Sequence, residues 1–222
     1  MTKLLALETA TVACSVALWI DGDITQRFEI APQRHSDILL NLVDTLLNNV
    51  QITLQDLDAI AFGSGPGSFI GVRIATGIAQ GIAYAMDLPI IPVSTLQALA
   101  QAAYQQINNE SIVSGWDARM NSIYWGVYKV DSEKIMQTII SDHVDYPIDI
   151  RFPKGKWAYV GNAWSIYQSI LPMHCQPIKK DIYPNAASVA IIAHQKFNKG
   201  DILSPEEVVE PTYIRERIVN FL

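Results

Sequence analysis

Three groups of residues have types and spacing suited to chemistry. The first is the loop Gly63-Ser64-Gly65-Pro66-Gly67-Ser68-Phe69-Ile70-Gly71, with four glycines in nine positions. A loop of this kind before a helix can hold phosphate through free amides and the positive end of the helix dipole. Gly65, Gly67 and Ser68 would be its contacts. There is no Gly-Lys-Ser/Thr, and Pro66 removes one amide, so close backbone packing is the favoured reading of these glycines. The second group is Thr9, Thr11 and Ser15, whose hydroxyls could also meet phosphate, although ordinary turn and strand residues read the same way. Glu8, just before them, could orient a metal-bound water or sit as a solvated strand end. The third group is Asp117 and Arg119, two apart at a strand end, which either pair with each other or line a cleft between two halves of the chain.

Other chemistries lack a scaffold. His35, His143, His174 and His194 share no ligand spacing, and Cys14 and Cys175 form no Cys-x-x-Cys pair, so no metal site is expected. Gly-x-Ser-x-Gly is absent, which leaves a serine nucleophile elbow without support. A formal charge of -6 disfavours a protein that grips nucleic acid unaided, because phosphate neutralisation needs clustered cations. Half of the 222 residues are hydrophobic, which is ample for a core. Two cysteines in such a chain suit a reducing compartment. The opening apolar run is cut by Glu8, so no secretory signal is read and the expected location is cytoplasmic.

The elements that must position these residues follow from periodicity. Strands are predicted over residues 3–10, 14–20 and 24–30, with Asp21-Gly22 as a hairpin turn. Ser36 is predicted to cap a helix reaching residue 49, with His35 beside the cap. A strand at 58–62 enters the glycine loop. A helix capped by Ser68 leaves it and runs to residue 86, followed by a strand at 90–93 and a helix at 95–105 capped by Ser94. A linker near 108–110 separates lobes at 1–106 and 107–222. The second lobe is predicted to hold strands at 112–118, 122–130, 135–142 and 156–160, and short helices at 163–171 and 188–198. The segment 211–222 is expected to pack back on the first lobe, and its end is read as a short helical turn. The whole is an α/β chain with parallel crossovers.

Two helices carry more apolar surface than one docking face requires. From Ile38 to Leu47 the apolar side chains span an arc of roughly 200°. In the helix after the glycine loop, Arg73, Thr76, Gln80 and Tyr84 occupy an arc of roughly 80° and all else is apolar or glycine. That second helix is read as a buried central helix of a soluble protein rather than a membrane span. Gly77 and Gly81, four apart, flatten one of its faces. Ile38, Leu42, Leu46, Gly71, Ala75, Ile78 and Ile82 are the candidate partner-binding residues, and in isolation the same surface is expected to pair with a second copy.

Several stretches together resemble the bacterial TsaB (YeaZ) family. They are Leu5-Ala6-Leu7-Glu8-Thr9-Ala10-Thr11, Arg34-His35-Ser36, Gly65-Pro66-Gly67-Ser68-Phe69-Ile70-Gly71-Val72-Arg73, Val93-Ser94-Thr95-Leu96-Gln97, Asp117-Ala118-Arg119-Met120-Asn121 and Pro211-x-Tyr213-x-Arg215. The resemblance implies a two-lobed actin/Hsp70/sugar-kinase-like fold (ASKHA), each lobe a mixed sheet with flanking helices. It implies a non-catalytic subunit acting with a TsaD-like catalytic subunit and a TsaE-like ATPase in threonylcarbamoyl transfer to adenosine 37 of tRNA. In that picture the chain has no cofactor of its own, ATP or ADP is admitted only at the partner interface, and tRNA is met only through the complex. The family usually has Asp where this chain has Glu8. Where the catalytic subunit carries two histidines four apart, this chain has Thr95 and Leu99, and leucine cannot ligate a metal. The alternative reading is an autonomous ATP-dependent phosphotransferase of the sugar-kinase type using Thr9, Thr11 and the glycine loop. A peptidase is a third and weaker one.

Overall fold

The structure, a computed structural model, describes residues 1–172, 175, 177–207 and 209–214. Its first sheet contains β1 (Lys3–Glu8), β2 (Ala13–Ile20), β3 (Asp23–Ile30), β4 (Ala59–Gly65) and β5 (Ile90–Ser94), in the order β3-β2-β1-β4-β5. The first three strands form an antiparallel meander, while β4 joins β1, and β5 joins β4, in parallel. Asp21 and Gly22 turn the second hairpin with φ of 48° and 103°, the left-handed geometry that a tight β-turn between twisted strands requires. β1 is apolar without alternation because both of its faces are covered. Leu5 and Leu7 look towards α1 (His35–Val50) and α2 (Phe69–Met86), whereas Leu4 and Ala6 face the opposite layer.

The second sheet has the order β8-β7-β6-β9, from β6 (Ser111–Asp117), β7 (Ile123–Val130), β8 (Met136–Asp145) and β9 (Ala158–Val160). One face packs on α3 (Thr95–Ile107), the other on Trp164 of α4 (Ala163–Ile166) and the chain around it. A Cβ on Gly115 would lie 2.2 Å from the Trp164 ring, so β6 needs glycine there. The order of the first sheet, its crossover helices and the second mixed sheet constitute the actin/Hsp70/sugar-kinase-like fold in compact form.

Polar side chains of α3 bind the lobes together. Gln97 Nε2 donates to the Met136 carbonyl at 2.8 Å, Gln101 accepts from the Met136 amide at 2.8 Å, and Ser94 Oγ reaches Asp142 at 2.5 Å. The same Ser94 hydroxyl accepts from the Gln97 amide, which makes it the predicted cap of α3.

Three expectations are corrected here. α5 (Ala186–Asn198), placed by chain order in the second lobe, packs its Ala186, Val189, Ala190 and Ala193 against the first sheet. The inner face of β1, β2 and β4 needs a cover, and the helices after β3 and β4 both lie on the other side. Ser36 does not cap α1: Arg34 occupies the cap position without a side-chain bond, and Ser36 Oγ turns to Asp37. His35 instead reaches the Ala13 carbonyl at 3.2 Å, pinning the start of α1 to β2. α2 is not enclosed on all sides. It is long and apolar enough to cross a membrane by length and composition, yet only a third of that span is buried, through a strip of Val72, Ala75, Ala79 and Ala83 on the first sheet. The helical turn expected at the chain's end lies outside the described residues.

Candidate functional site

The lobes meet around a cleft of about 1440 Å³. Its walls come from the β1–β2 turn, the starts of α1 and α2, the glycine loop, the β6–β7 turn and residues of the second half of the chain. Thr11, Gly67, Ser68, Gly71, Asp117 and Arg119 all line it.

The glycines are explained by packing. A Cβ on Gly67 would lie 2.5 Å from the Ala10 carbonyl oxygen, and one on Gly71 would lie 2.1 Å from that of Thr9. Both contacts are with backbone, so no side chain can move aside. The Ser68 amide donates to the Ala10 carbonyl at 2.7 Å, and Ser68 Oγ accepts from the Gly71 amide at 3.3 Å, closing the turn and capping α2. Gly65 lies outside the cleft, at φ 102° beside the Thr212 carbonyl. The Thr212 amide donates to the Ser64 carbonyl at 2.7 Å, so the chain returns to the glycine loop near its end.

The hydroxyls proposed for phosphate are engaged. Thr9 is fully buried, and its Oγ1 donates to the Gly71 carbonyl at 2.7 Å. Thr11 is 6 % exposed and accepts from the Ala13 amide at 3.2 Å. Ser15, also buried, accepts from the Ala186 amide at 2.9 Å.

Glu8 is not a solvated strand end. It is buried completely, accepting from the Ala10 amide at 2.6 Å, with Thr95 Oγ1 at 3.4 Å from its other oxygen. Burial pushes its pKa up to about 7 against the partial relief those donors supply. A Cβ on Gly63 would lie 1.9 Å from the Glu8 carboxylate, so that glycine exists to admit it. Thr95 and Leu99, at the positions of the catalytic subunit's histidines, are 2 % and 1 % exposed.

Asp117 and Arg119 do both things open to them: they line the cleft and form an ion pair at 3.3 Å. Asp117 Oδ1 also accepts from Tyr167 at 2.9 Å and from the Arg119 amide at 3.0 Å. Arg119, Met120 and Asn121 stand in succession at φ 61°, 51° and 57°, a left-handed run with no glycine in it.

The proposed partner residues need correcting. Leu46 and Ala75 are 0 % exposed, Leu42 is 9 %, and Gly71 is packed on Thr9, so these four belong to the chain's own interior. Ile38, Ile78 and Ile82 are half-buried against the same core. Most of the wide apolar arc of α1 is used up because its flanks reach α2 as well as the sheet, with Leu40 left 55 % exposed. The larger apolar surface outside is a face of α2. Phe69 and Ile70 are 67 % exposed and Tyr84 is 70 %, with Gly77 and Gly81 between them and no described atom within 4 Å of where their Cβ atoms would be.

Sequence reasoning missed the aromatic lining of the cleft: Trp116, Tyr124, Tyr146, Tyr183 and Tyr213, with Phe69. Trp116 and Tyr124 stand opposite each other across the β6–β7 hairpin, so strand alternation could have revealed them. Tyr146 and Tyr183 come from the proline-rich stretch, where no periodicity points anywhere. Among the described histidines, His143 lies against Trp125 and His194 stacks on Trp19 at 4.5 Å. His174 lies outside the described residues. Among the described residues no three His, Cys, Asp or Glu side chains gather as a metal site. Cys14 and Cys175 are free and buried.

Fold and cleft together define a two-lobed protein of kinase-like architecture in which Thr9, Thr11 and Ser15 are hydrogen-bonded within the fold and Gly67 and Gly71 are packed on backbone. Residues 28–220 match the family model described as TsaD, tRNA N6-adenosine threonylcarbamoyltransferase. The chain is 37 % identical to the tRNA threonylcarbamoyladenosine biosynthesis protein TsaB of Escherichia coli, over 97 % of this chain and 96 % of that one. It is equally similar, at 37 %, to the TsaB protein of Haemophilus influenzae, over 97 % and 94 %. The solved structure of YeaZ from Pseudomonas aeruginosa superposes with a TM-score of 0.88 at 36 % identity, covering 96 % of this chain and all of that one. Another, described as an uncharacterized protein with similarity to peptidase YeaZ from the same organism, gives 0.91 at 36 %, covering 97 % and all of it. The chain belongs to the TsaB (YeaZ) family, within the wider group that the TsaD model describes.

Proposed function

We propose that this protein is a non-catalytic subunit in threonylcarbamoyladenosine formation on tRNA, acting in the cytoplasm by holding a TsaD-like catalytic subunit in its working shape. The observation that carries the reading is the outer face of α2, where Phe69, Ile70 and Tyr84 flank two glycines that leave the backbone open to a neighbour. Small residues on an apolar face let a second helix approach closely, and apolar side chains left in water favour burial. A stable contact there would bury on the order of 1,200–2,000 Å². The engaged state of Thr9 and Thr11, and the buried Thr95 and Leu99, favour a supporting role over phosphoryl transfer. A TsaE-like ATPase completes the assembly, and ATP or ADP belongs to its interfaces rather than to this chain. Without the catalytic subunit, α2 pairs with a second copy through the same face.

Gly77→Glu and Gly81→Glu test the reading, since both positions are open and a charge there should spare the fold. Each variant should keep the wild-type circular dichroism spectrum, lose co-elution with the catalytic subunit and fail to restore the modified nucleoside in tRNA from depleted cells. Retained co-elution in both variants would place the partner elsewhere.

A further inference from the structure

We propose that the inter-lobe cleft binds a short single-stranded segment of the RNA substrate, with bases stacked on its aromatic rings and phosphates held at its arginines and helix starts. The inference rests on the function proposed above and goes beyond the expectation that RNA is met only through the complex.

Size argues for a strand. Pockets for single small molecules run to roughly 300–1,000 Å³, and this cleft is larger at about 1440 Å³. Its lining offers stacking surfaces in Trp116, Tyr124 and Tyr146 from the second half of the chain, with Tyr213 on the segment that returns to the glycine loop. Aromatic platforms beside cations are how proteins hold single strands, because every base has a stacking face.

Charge agrees. The chain as a whole carries -6, yet the charged side chains lining the cleft are Arg73, Arg119 and Asp117, the last two paired at 3.3 Å, which leaves the lining with one positive charge in excess. α1 and α2, of 16 and 18 residues, both begin at the cleft, and each helix start contributes roughly half a positive charge. Arg73 is held ready: its guanidinium lies 3.3 Å from the Phe69 ring centre and 5.0 Å from that of Tyr213, and NH1 donates to the Phe69 carbonyl at 2.9 Å. Arg119 stands on the left-handed run at the tip of the β6–β7 turn, with its side chain 87 % exposed. The cleft also borders the exposed face of α2 through Phe69 and Ile70, so a strand lying in it would pass beside a catalytic subunit docked on that face.

The test uses the full chain and a dye-labelled single-stranded RNA heptamer, with an RNA duplex and ADP as competitors, at about 0.05 M salt. Arg119→Glu and Tyr146→Ala alter side chains that are largely exposed, so folding should be unaffected. Each should weaken strand binding by about fivefold or more, and in the assembled complex each should raise KM for tRNA while leaving kcat in place. Failure of the heptamer to bind, unchanged affinity in both variants, or equal competition by duplex or ADP would overturn the proposal. If the wild-type chain supports tRNA modification while both variants match it in affinity and KM, the RNA site falls and the proposed function stands. If the chain forms no complex with the catalytic subunit, the function falls, and the isolated chain's affinity for the heptamer is still read in its own right.

Discussion

Glu8 has lost its water without gaining a cation among the described residues. Its carboxyl titrates near 7 in the fold against 4.5 in an open chain, so the folded state holds the proton more tightly. Stability from this group is fully present below pH 4.5, declines as pH rises towards 7, and is gone above it. The shift corresponds to about 3 kcal/mol. Glu8→Gln keeps an acceptor for the Ala10 amide and removes the charge. Urea unfolding should show the variant more stable than wild type at pH 8 by an amount of that order, with near equality at pH 4; parallel pH profiles would show the carboxylate to be solvated. The glycines give a second contrast. Gly71→Ala drives a methyl into the Thr9 backbone and should cost about 3 kcal/mol or prevent folding. Gly77→Ala meets open space in mid-helix and should stabilise the isolated chain by about 0.5–1 kcal/mol. Thermal melts of the two variants should move in opposite directions.

At the scale of elements, α2 and α3 do opposite work. α2 buries one alanine-rich strip, half-buries Ile74, Ile78 and Ile82 against the same core and leaves Phe69, Ile70 and Tyr84 outside, which suits a helix meant for a second protein. α3 is turned inward along Leu96, Ala98, Leu99, Ala100 and Ala103, all buried, and exposes Gln105 and Gln106 near its end. Gln97 and Gln101 are spent on the β7–β8 hairpin rather than on water. Ser94 serves α3 twice, as its cap and as a donor to Asp142, whose carboxyl is raised above the usual range by burial against the help of that hydroxyl and Tyr128. Ser94→Ala removes both bonds and should destabilise the protein by about 1–2 kcal/mol. Amide exchange should quicken along the start of α3 and in β8 together; a loss confined to α3 would mean that the Asp142 contact is idle.

At the scale of the molecule, the lobes are one cooperative body. α5 comes from the second half of the chain and closes the first sheet, and α3 leaves the first sheet to cover the second. Residues 1–106 alone would expose Leu4, Ala6, Ala59, Ala61 and Ile91, so that fragment should be unfolded or aggregated by circular dichroism and light scattering. The full chain should unfold in one transition seen alike by near-ultraviolet and far-ultraviolet signals, and two separated transitions would contradict the shared helices.

Local chemistry was legible in the residues themselves. The strands of the first sheet, the Asp21-Gly22 turn and the caps Ser68 and Ser94 stand where alternation, turn residues and hydroxyls put them, because those signals act within a few positions of the chain. The α/β class and the preference for packing over phosphate at the glycine loop were readable for the same reason. What lay beyond reach depends on which distant segments share space. An apolar helix looks alike whether its surface meets its own core or a partner, so only the tertiary structure could return Leu42, Leu46 and Ala75 to the interior and leave Phe69, Ile70 and Gly77 outside. Only it could bring α5 back to the first sheet, bury Glu8 against Gly63 and gather rings from across the chain into one cleft. Periodicity fixes which side of an element avoids water, and long-range packing alone decides what covers it.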